Sequence, residues 1–372
     1  MHLNIAVLEG DGIGPEVVAQ SLKCLRSVEE TFGHSFTFAK GLVGATAIEK
    51  EGNPLPEKTL KICKESDAIL FGAIGSPKYD DDPNSEIWPE QGLLRLRKEL
   101  DLFANIRPVK VFPALIKQSP LSKKIVKNTD LVIYRELSGG IYYGEKDHDP
   151  NSNSATDICT YNEEEISRIA HLAFKAAKNR KQKVTLVDKA NVLQTSRLWR
   201  RVVYDIAKSY PEVTLEALFV DNAAVQMVLN PSQFDVILTD NMFGDILSDQ
   251  GSVIAGSIGL LPSASVGTDY AMFEPIHGSY PNAKGKNTAN PVAAILSVAM
   301  LLQHFKLHEE SDAVVAAVLK SFSKNIVTPD IMGSSKYGTD YVGDFIADNI
   351  MELDDHFNMN DENIDLGKST II

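Results

Sequence analysis

The feature that most restricts how this chain can fold is an alternation. Short, β-branched apolar runs at 3–8, 36–40, 67–74, 130–135, 183–188, 214–220 and 234–239 are interleaved with helical periodicities at 15–31, 92–100, 163–180, 192–208, 242–255, 291–306 and 311–325. Parallel strands need a crossover of a dozen or more residues, usually a helix, so the pattern predicts an α/β protein on a largely parallel sheet. The 372 residues suffice for about two domains. Two polar stretches, 76–90 and 144–162, interrupt the rhythm and read as functional loops, an arm or a linker. The polar tail from Asp354 reads as a frayed end.

In an open α/β sheet, ligands bind beyond the carboxyl ends of the strands. Three strand-like runs end alike, VTLVDK (184–189), ALFVDN (217–222) and VILTDN (236–241), and these polar ends are site candidates. The first apolar run is followed by GDGIGPEV (10–17). That is G-x-G-x-G and then Pro, not G-x-G-x-x-G, and the next strand lacks the acidic end of a Rossmann ribose site. The glycines read instead as a tight strand-to-helix turn, with Pro15 at the first helical position and Glu16 beside the positive helix end. It also lacks the Lys-Ser/Thr ending of a P-loop.

Charge narrows the partners. A formal charge of -13 argues against nucleic acid or an anionic membrane, both of which need a basic face. Cys24, Cys63 and Cys159 are far apart and form no C-x-x-C, which fits a reducing, cytoplasmic setting rather than disulfides or zinc. The start has no basic n-region, and the longest apolar segment, 291–305, is only a core helix in length, so neither a signal peptide nor a membrane span is expected.

Several groups could carry chemistry. On the helix through NMFGDILSDQG (241–251), Asp245 and Asp249 are i,i+4 and share a face. Such a pair either stays in water or is neutralised by a cation, and hard oxygens without His or Cys suit Mg²⁺ or Mn²⁺. Arg97, Arg107 and Arg135 are either surface ion-pair partners or a convergent clamp for a dicarboxylate, and Arg135, closing an apolar strand, fits the clamp best. Lys189, directly after an apolar strand, and Tyr142, in SGGIYYG, are proton-transfer candidates. The loop FEPIHGSYPNAKGKNTANP (273–291) places His277 where it could meet a nucleotide base, while Asn290-Pro291 reads as the cap and first residue of the next helix. Together these groups suit oxidation of a hydroxy diacid followed by decarboxylation, without identifying the cofactor.

Through GDGIGPEV, GLLRLRKELDLFANIRP, YRELSGGIYYGE, VDKANVL, NMFGDILSDQGS, GLLPSAS and FEPIHGS, in register from about residue 4 to about 350, the chain resembles the metal-dependent β-decarboxylating dehydrogenases that act on isocitrate, isopropylmalate and related acids. The resemblance implies the family's two-domain α/β fold with a large mixed sheet, not a Rossmann fold. One domain would comprise 1–103 and 256–372 and bind the cofactor. The other, 104–255, would carry substrate and metal groups and dimerise through an arm at about 144–162.

The resemblance also implies roles. Mg²⁺ or Mn²⁺ would be held by Asp245, Asp249 and Asp221, with Asp221 and Lys189 contributed across a homodimer to the partner's site. Lys189 and Tyr142 would move protons, and Arg97, Arg107 and Arg135 would grip the substrate together with Asp221. Glu90, Leu93, Leu94 and, across the homodimer, Val192 would face the variable part of the substrate. The apolar Leu93 and Leu94 favour 3-isopropylmalate over isocitrate, homoisocitrate or tartrate, because a third carboxylate against leucines would go unpaired. NAD would lie along Ile13, Gly75, Ser76, Glu90, His277, Gly278, Ser279, Asn282, Ala283 and Asn290. Asn282 stands where NAD-dependent members carry an acid, yet nothing obvious clamps a 2′-phosphate, although Lys284 and Lys286 are near, so NAD is the expectation. A reading of another class is a catalytically silent metabolite-binding regulator that keeps the fold.

Overall fold

The computed structural model describes residues 1–80, 86–149 and 153–351, so the expected frayed tail from Asp354 lies outside the described residues, as do 81–85 of the 76–90 loop. The twelve strands among them are β1 (His2–Gly10), β2 (Ser35–Lys40), β3 (Ala68–Ala73), β4 (Ala104–Lys110), β5 (Asp130–Glu136), β6 (Lys146–Asp149), β7 (Ser154–Asp157), β8 (Lys183–Asp188), β9 (Thr214–Phe219), β10 (Val236–Thr239), β11 (Pro262–Val266) and β12 (Ala271–Pro275). Ten of them form one sheet in the order β2-β1-β3-β12-β11-β4-β5-β10-β8-β9, and β6 and β7 form a separate antiparallel hairpin. That hairpin is the 144–162 segment, with 150–152 undescribed.

The sheet is largely parallel, as the alternation predicts, and mixed, as the resemblance implies. Both flanks are parallel, but β12–β11, β11–β4 and β4–β5 are antiparallel, which makes the sheet mixed. The strands responsible, β4, β11 and β12, were not visible in the apolar pattern. Their sequences, ANIRPVK, PSASV and AMFEP, carry Pro, Ser, Asn and Arg, although every residue in them is buried. Proline inside an interior strand is tolerated here because β11 pairs only with Ala104 to Ile106, leaving β4 without that neighbour at Pro108.

All seven expected helices are present. Helices Ala45–Glu51, Glu57–Lys64, Val220–Leu229 and Thr339–Met351 are present in addition. Alternation along the strands distributes the helices between two faces. Leu3, Ile5, Val7, Val132 and Tyr134 join one core with helices Gly14–Phe32, Glu163–Lys178 and Val292–His304. Their neighbours point the other way: Ala6, Leu8 and Phe71 toward helix Pro89–Glu99, and Leu131 and Ile133 toward helix Asn241–Ala255. Helix Val292–His304 is buried from Val292 to Gln303, yet no described helix is long and apolar enough to cross a membrane. On the second face, between helices Pro89–Glu99 and Asn241–Ala255, the strand ends surround a cleft.

Candidate active site

The cleft has a volume of about 470 Å³. Helix Pro89–Glu99 lines it with Glu90, Leu93, Leu94 and Arg97, while β4 and β5 bring Arg107 and Arg135. Tyr142 comes from the loop after β5, Asp245 from helix Asn241–Ala255, Glu274 from β12, and His277 and Gly278 from the chain leaving it. Gly92 lets the first of these helices sit down on its neighbour, since a Cβ there would lie 2.4 Å from the Pro54 carbonyl oxygen.

The three expected arginines are all buried and all converge. Arg135 donates from Nη1 to Asp245 Oδ1 at 2.5 Å and, from Nε and Nη2, to Asn241 Oδ1 at 3.1 and 2.8 Å. Arg107 donates to Asn105 Oδ1 and Ser248 Oγ, both at 2.5 Å, and lies 3.4 Å from Asp245 Oδ1. Arg97 pairs with buried Glu274 at 2.9 Å, and its Nε has no partner. Burial, with repulsion from Arg107, pushes Arg135 down to about 10 against the opposing pull of Asp245, and burial also lowers Arg107. The three guanidinium groups face Asp245, Glu274 and, 3.7 Å from Arg107, the more exposed Asp249, so a cation taken up by the two aspartates would free fork N–H groups for an anionic ligand.

Asp245 is the focus of the cleft. Burial tends to raise its carboxyl, but Arg135, Arg107 and a hydrogen bond from Tyr142 Oη, 2.9 Å from Oδ2, hold it below the ordinary range. The Tyr142 phenol moves the opposite way, raised by burial and by Asp245, so it keeps its proton at neutral pH. Asp249, one turn on, is more exposed and is raised by burial and by Asp245. The helix can lie this close because small residues face the sheet. A Cβ on Gly244 would meet Arg135 Cγ at 2.6 Å, Ser248 bonds Arg107, and a Cβ on Gly251 would meet Val109 at 2.7 Å. Asp240 caps the helix by accepting from Phe243 N–H at 2.8 Å, and burial pushes its carboxyl up to about 7.

Asp245 and Asp249 fit a hard divalent ion as a donor pair, but among the described residues no three His, Cys, Asp or Glu side chains gather in one chain. Asp221 is elsewhere. It stands in the first turn of helix Val220–Leu229 and pairs with Lys189 Nζ at 2.9 Å. Neither residue lines the cleft, nor does Val192, which is 63% exposed. Lys189, Val192 and Asp221 thus form a second, outward-facing group.

The glycine turn lies against the other end of the cleft. Gly12, at φ +58, packs so tightly that a Cβ would overlap the Ser279 carbonyl oxygen, and Ile13 N–H donates to that oxygen at 2.8 Å. Gly75 sits between Glu90 and Ser279, 3.0 Å and 3.4 Å from where its Cβ would be, and Ser76 opens the short helix that follows. His277 is buried, and its Nδ1 lies 3.0 Å from the Gly278 carbonyl oxygen, to which it can donate. Its Nε2 has no partner, and burial lowers the imidazole, keeping it neutral. Asn282 is exposed on a 3₁₀ turn, whereas Ala283 is buried against Ile13. Asn290 is one residue from its expected place: the helix begins at Val292, whose N–H the Asn290 side chain accepts, while the Asn290 amide donates to Asp330.

Four polar residues of the site had no role assigned from the sequence, although Asn241 ends the candidate strand VILTDN. Asn105, Asn241 and Glu274 hold the arginines from behind. Asp11, in the glycine turn, accepts from Ala45, Thr46 and Gly75 N–H groups and fixes that turn to the neighbouring helix.

With this geometry stand the likenesses to known proteins. A family model described as isocitrate/isopropylmalate dehydrogenase matches residues 4–346. The chain is 50% identical over 359 residues to the 3-isopropylmalate dehydrogenase of Aquifex aeolicus, covering 95% of this chain and 98% of that one. It is 51% identical over 345 residues to the 3-isopropylmalate dehydrogenase of Bacillus subtilis, at 91% and 94% coverage. A solved isocitrate dehydrogenase from Methylococcus capsulatus superimposes with a TM-score of 0.86 at 32% identity, covering 94% of this chain and 100% of that one. The matched span runs from the glycine turn through the arginine cleft to the 277–290 loop, and the chain belongs to the isocitrate/isopropylmalate dehydrogenase family.

Proposed function

We propose that this chain oxidises 3-isopropylmalate with NAD and releases CO₂ to give 4-methyl-2-oxopentanoate, a step of leucine biosynthesis. The observation that carries the reading is the convergence of Arg97, Arg107 and Arg135 on a cleft whose remaining wall includes Leu93 and Leu94. The arginines would bind the two carboxylates bidentately, and the leucines would take the isopropyl group. A divalent ion, Mg²⁺ or Mn²⁺, held by Asp245, Asp249 and the partner's Asp221, would acidify the 2-hydroxyl and polarise the ketone that replaces it. NAD along the glycine turn and the 277–290 loop would accept the hydride from C2. Lys189, reaching from the second subunit, removes the hydroxyl proton. Tyr142, protonated at neutral pH, delivers a proton to C3 once CO₂ has left.

Shared sites imply a homodimer. Support comes from the outward position of Lys189 and Asp221, and from an exposed apolar stripe on two packed helices, Val225, Leu229, Ile246 and Val253. The sheet order supports the division into 104–255 and 1–103 with 256–372, since the strands of the large sheet that fall in 104–255 all lie on one side of the β11–β4 pairing. Three free thiols accord with a cytoplasmic setting.

Steady-state kinetics on 3-isopropylmalate and isocitrate, each with NAD and with NADP, tests the proposal. The expected outcome is highest kcat/KM for 3-isopropylmalate with NAD, abolished by EDTA and restored by Mg²⁺ or Mn²⁺. Preference for isocitrate would overturn the reading of Leu93 and Leu94. No metal-dependent NADH formation with either acid would favour a silent binding protein.

A further inference from the structure

Two of the three cleft arginines are held from behind by the same kind of group. Arg107 Nε donates to Asn105 Oδ1, and Arg135 donates twice, from Nε and Nη2, to Asn241 Oδ1. Both asparagines are essentially inaccessible. The orientation of each amide is fixed by its other end: Asn105 Nδ2 donates to Ser265 Oγ at 3.0 Å, and Asn241 Nδ2 donates to the Gly139 carbonyl at 3.2 Å.

A guanidinium on a flexible stem has to be held to be aimed. A carboxylate would hold it firmly but would also cancel its field, as Glu274 does for Arg97. A neutral carbonyl oxygen fixes the plane of the fork and adds no negative charge to that of Asp245, which both forks already meet. We infer that Asn105 and Asn241 are positioning residues that aim Arg107 and Arg135 at the substrate carboxylates without placing a negative charge behind them. This rests on the reading of the cleft as a hydroxy-diacid site.

Asn241 does more than hold one arginine. Its amide fastens Gly139, at the head of the loop carrying Tyr142, and its N–H donates to buried Tyr161 Oη at 3.0 Å. It lies one turn before Asp245 on the same helix. One side chain therefore sets strand, loop and helix in register around the substrate. An aspartate at this position would neutralise Arg135 and turn a second oxygen toward the Gly139 carbonyl.

The test compares Asn241→Asp with Asn241→Ala, measuring KM and kcat for 3-isopropylmalate, KM for NAD and calorimetric substrate affinity. The expected result is that Asn241→Asp raises KM and Kd for the acid by about tenfold or more, and by more than Asn241→Ala does, while KM for NAD stays within about twofold. A scaffold role predicts the opposite order, because Asp is the closer isostere. The inference is overturned if Asn241→Asp is the milder variant, or if KM for NAD rises in step. Should Asn241→Asp fail to fold, Asn105→Asp against Asn105→Ala reads the same order at Arg107. The unsubstituted protein is measured alongside, so an absence of turnover there defeats the functional proposal rather than this one.

Discussion

At the scale of single residues, charge chemistry was legible and neutral support was not. Arg97, Arg107, Arg135, Tyr142 and Asp245 are conspicuous because a charged or phenolic group beside an apolar run needs a reason to be there. Asn105 and Asn241 titrate nothing and recur in turns, so their part emerges only when strand, loop and helix meet. Asp240 gave a different surprise. Its place in VILTDN suggests a polar strand end, and it is a helix cap whose carboxyl burial pushes up to about 7, with Glu136 and Asp188 repelling its charge and Arg135 attracting it. Between its ordinary value of 3.8 and about 7 the folded chain keeps a proton that the unfolded chain has lost, so stability falls as pH rises through that window. Asn at this position keeps the carbonyl acceptor for Phe243 and has no proton to lose. We therefore expect Asp240→Asn to gain stability relative to the parent by roughly 1–3 kcal/mol between pH 4 and pH 8, measured by urea unfolding at each pH. An equal response of the two proteins to pH would contradict the burial of that carboxylate.

Elements were legible where the pattern was one of bulk. Every expected helix formed, and each expected strand found a place, because periodicity reports which face is buried. The seam strands β4, β11 and β12 escaped notice since small and polar residues fill a sheet centre when function or close packing requires it. The helix Asn241–Ala255 shows the same conflict. Intrinsic propensity says that Gly244→Ala should stabilise a helix by up to about 1 kcal/mol. Packing says otherwise, because the added methyl would lie within 2.7 Å of two Arg135 side-chain carbons. Packing should win. We expect Gly244→Ala to lower stability by about 1–3 kcal/mol and to raise KM for the acid, as the helix lifts Asp245 and Asn241 away from β5. Denaturation midpoints and substrate kinetics on one preparation would check both, and a stabilised variant with unchanged KM would refute the close approach.

At the scale of the molecule, the two groups of functional residues face different ways. Arg97, Arg107, Arg135, Tyr142 and Asp245 look into the cleft, whereas Lys189 and Asp221 look out. The homodimer proposal reconciles them and is open to a direct test. Leu229→Asp places a charge on the exposed apolar stripe while touching no cleft residue. Sedimentation should then show a monomer that remains folded but has lost at least about a hundredfold in kcat, since burying an unpaired charge in an interface is costly. A folded monomer with full activity would rule out shared sites.

The seam itself sets a timetable. Strand β3 pairs on one side with β1 and on the other with β12, through Ile69 with Met272 and Leu70 with Phe273. A ribosome adding about 5–20 residues per second therefore takes roughly 10–40 s after making AILFGA before the strand that covers its second edge has been synthesised. Throughout that interval the second edge of an apolar strand, with open hydrogen-bonding groups, has only competitors for partners. The open edge of β3 must wait, shielded or at risk of aggregation, for a hairpin made about three quarters of the way through synthesis.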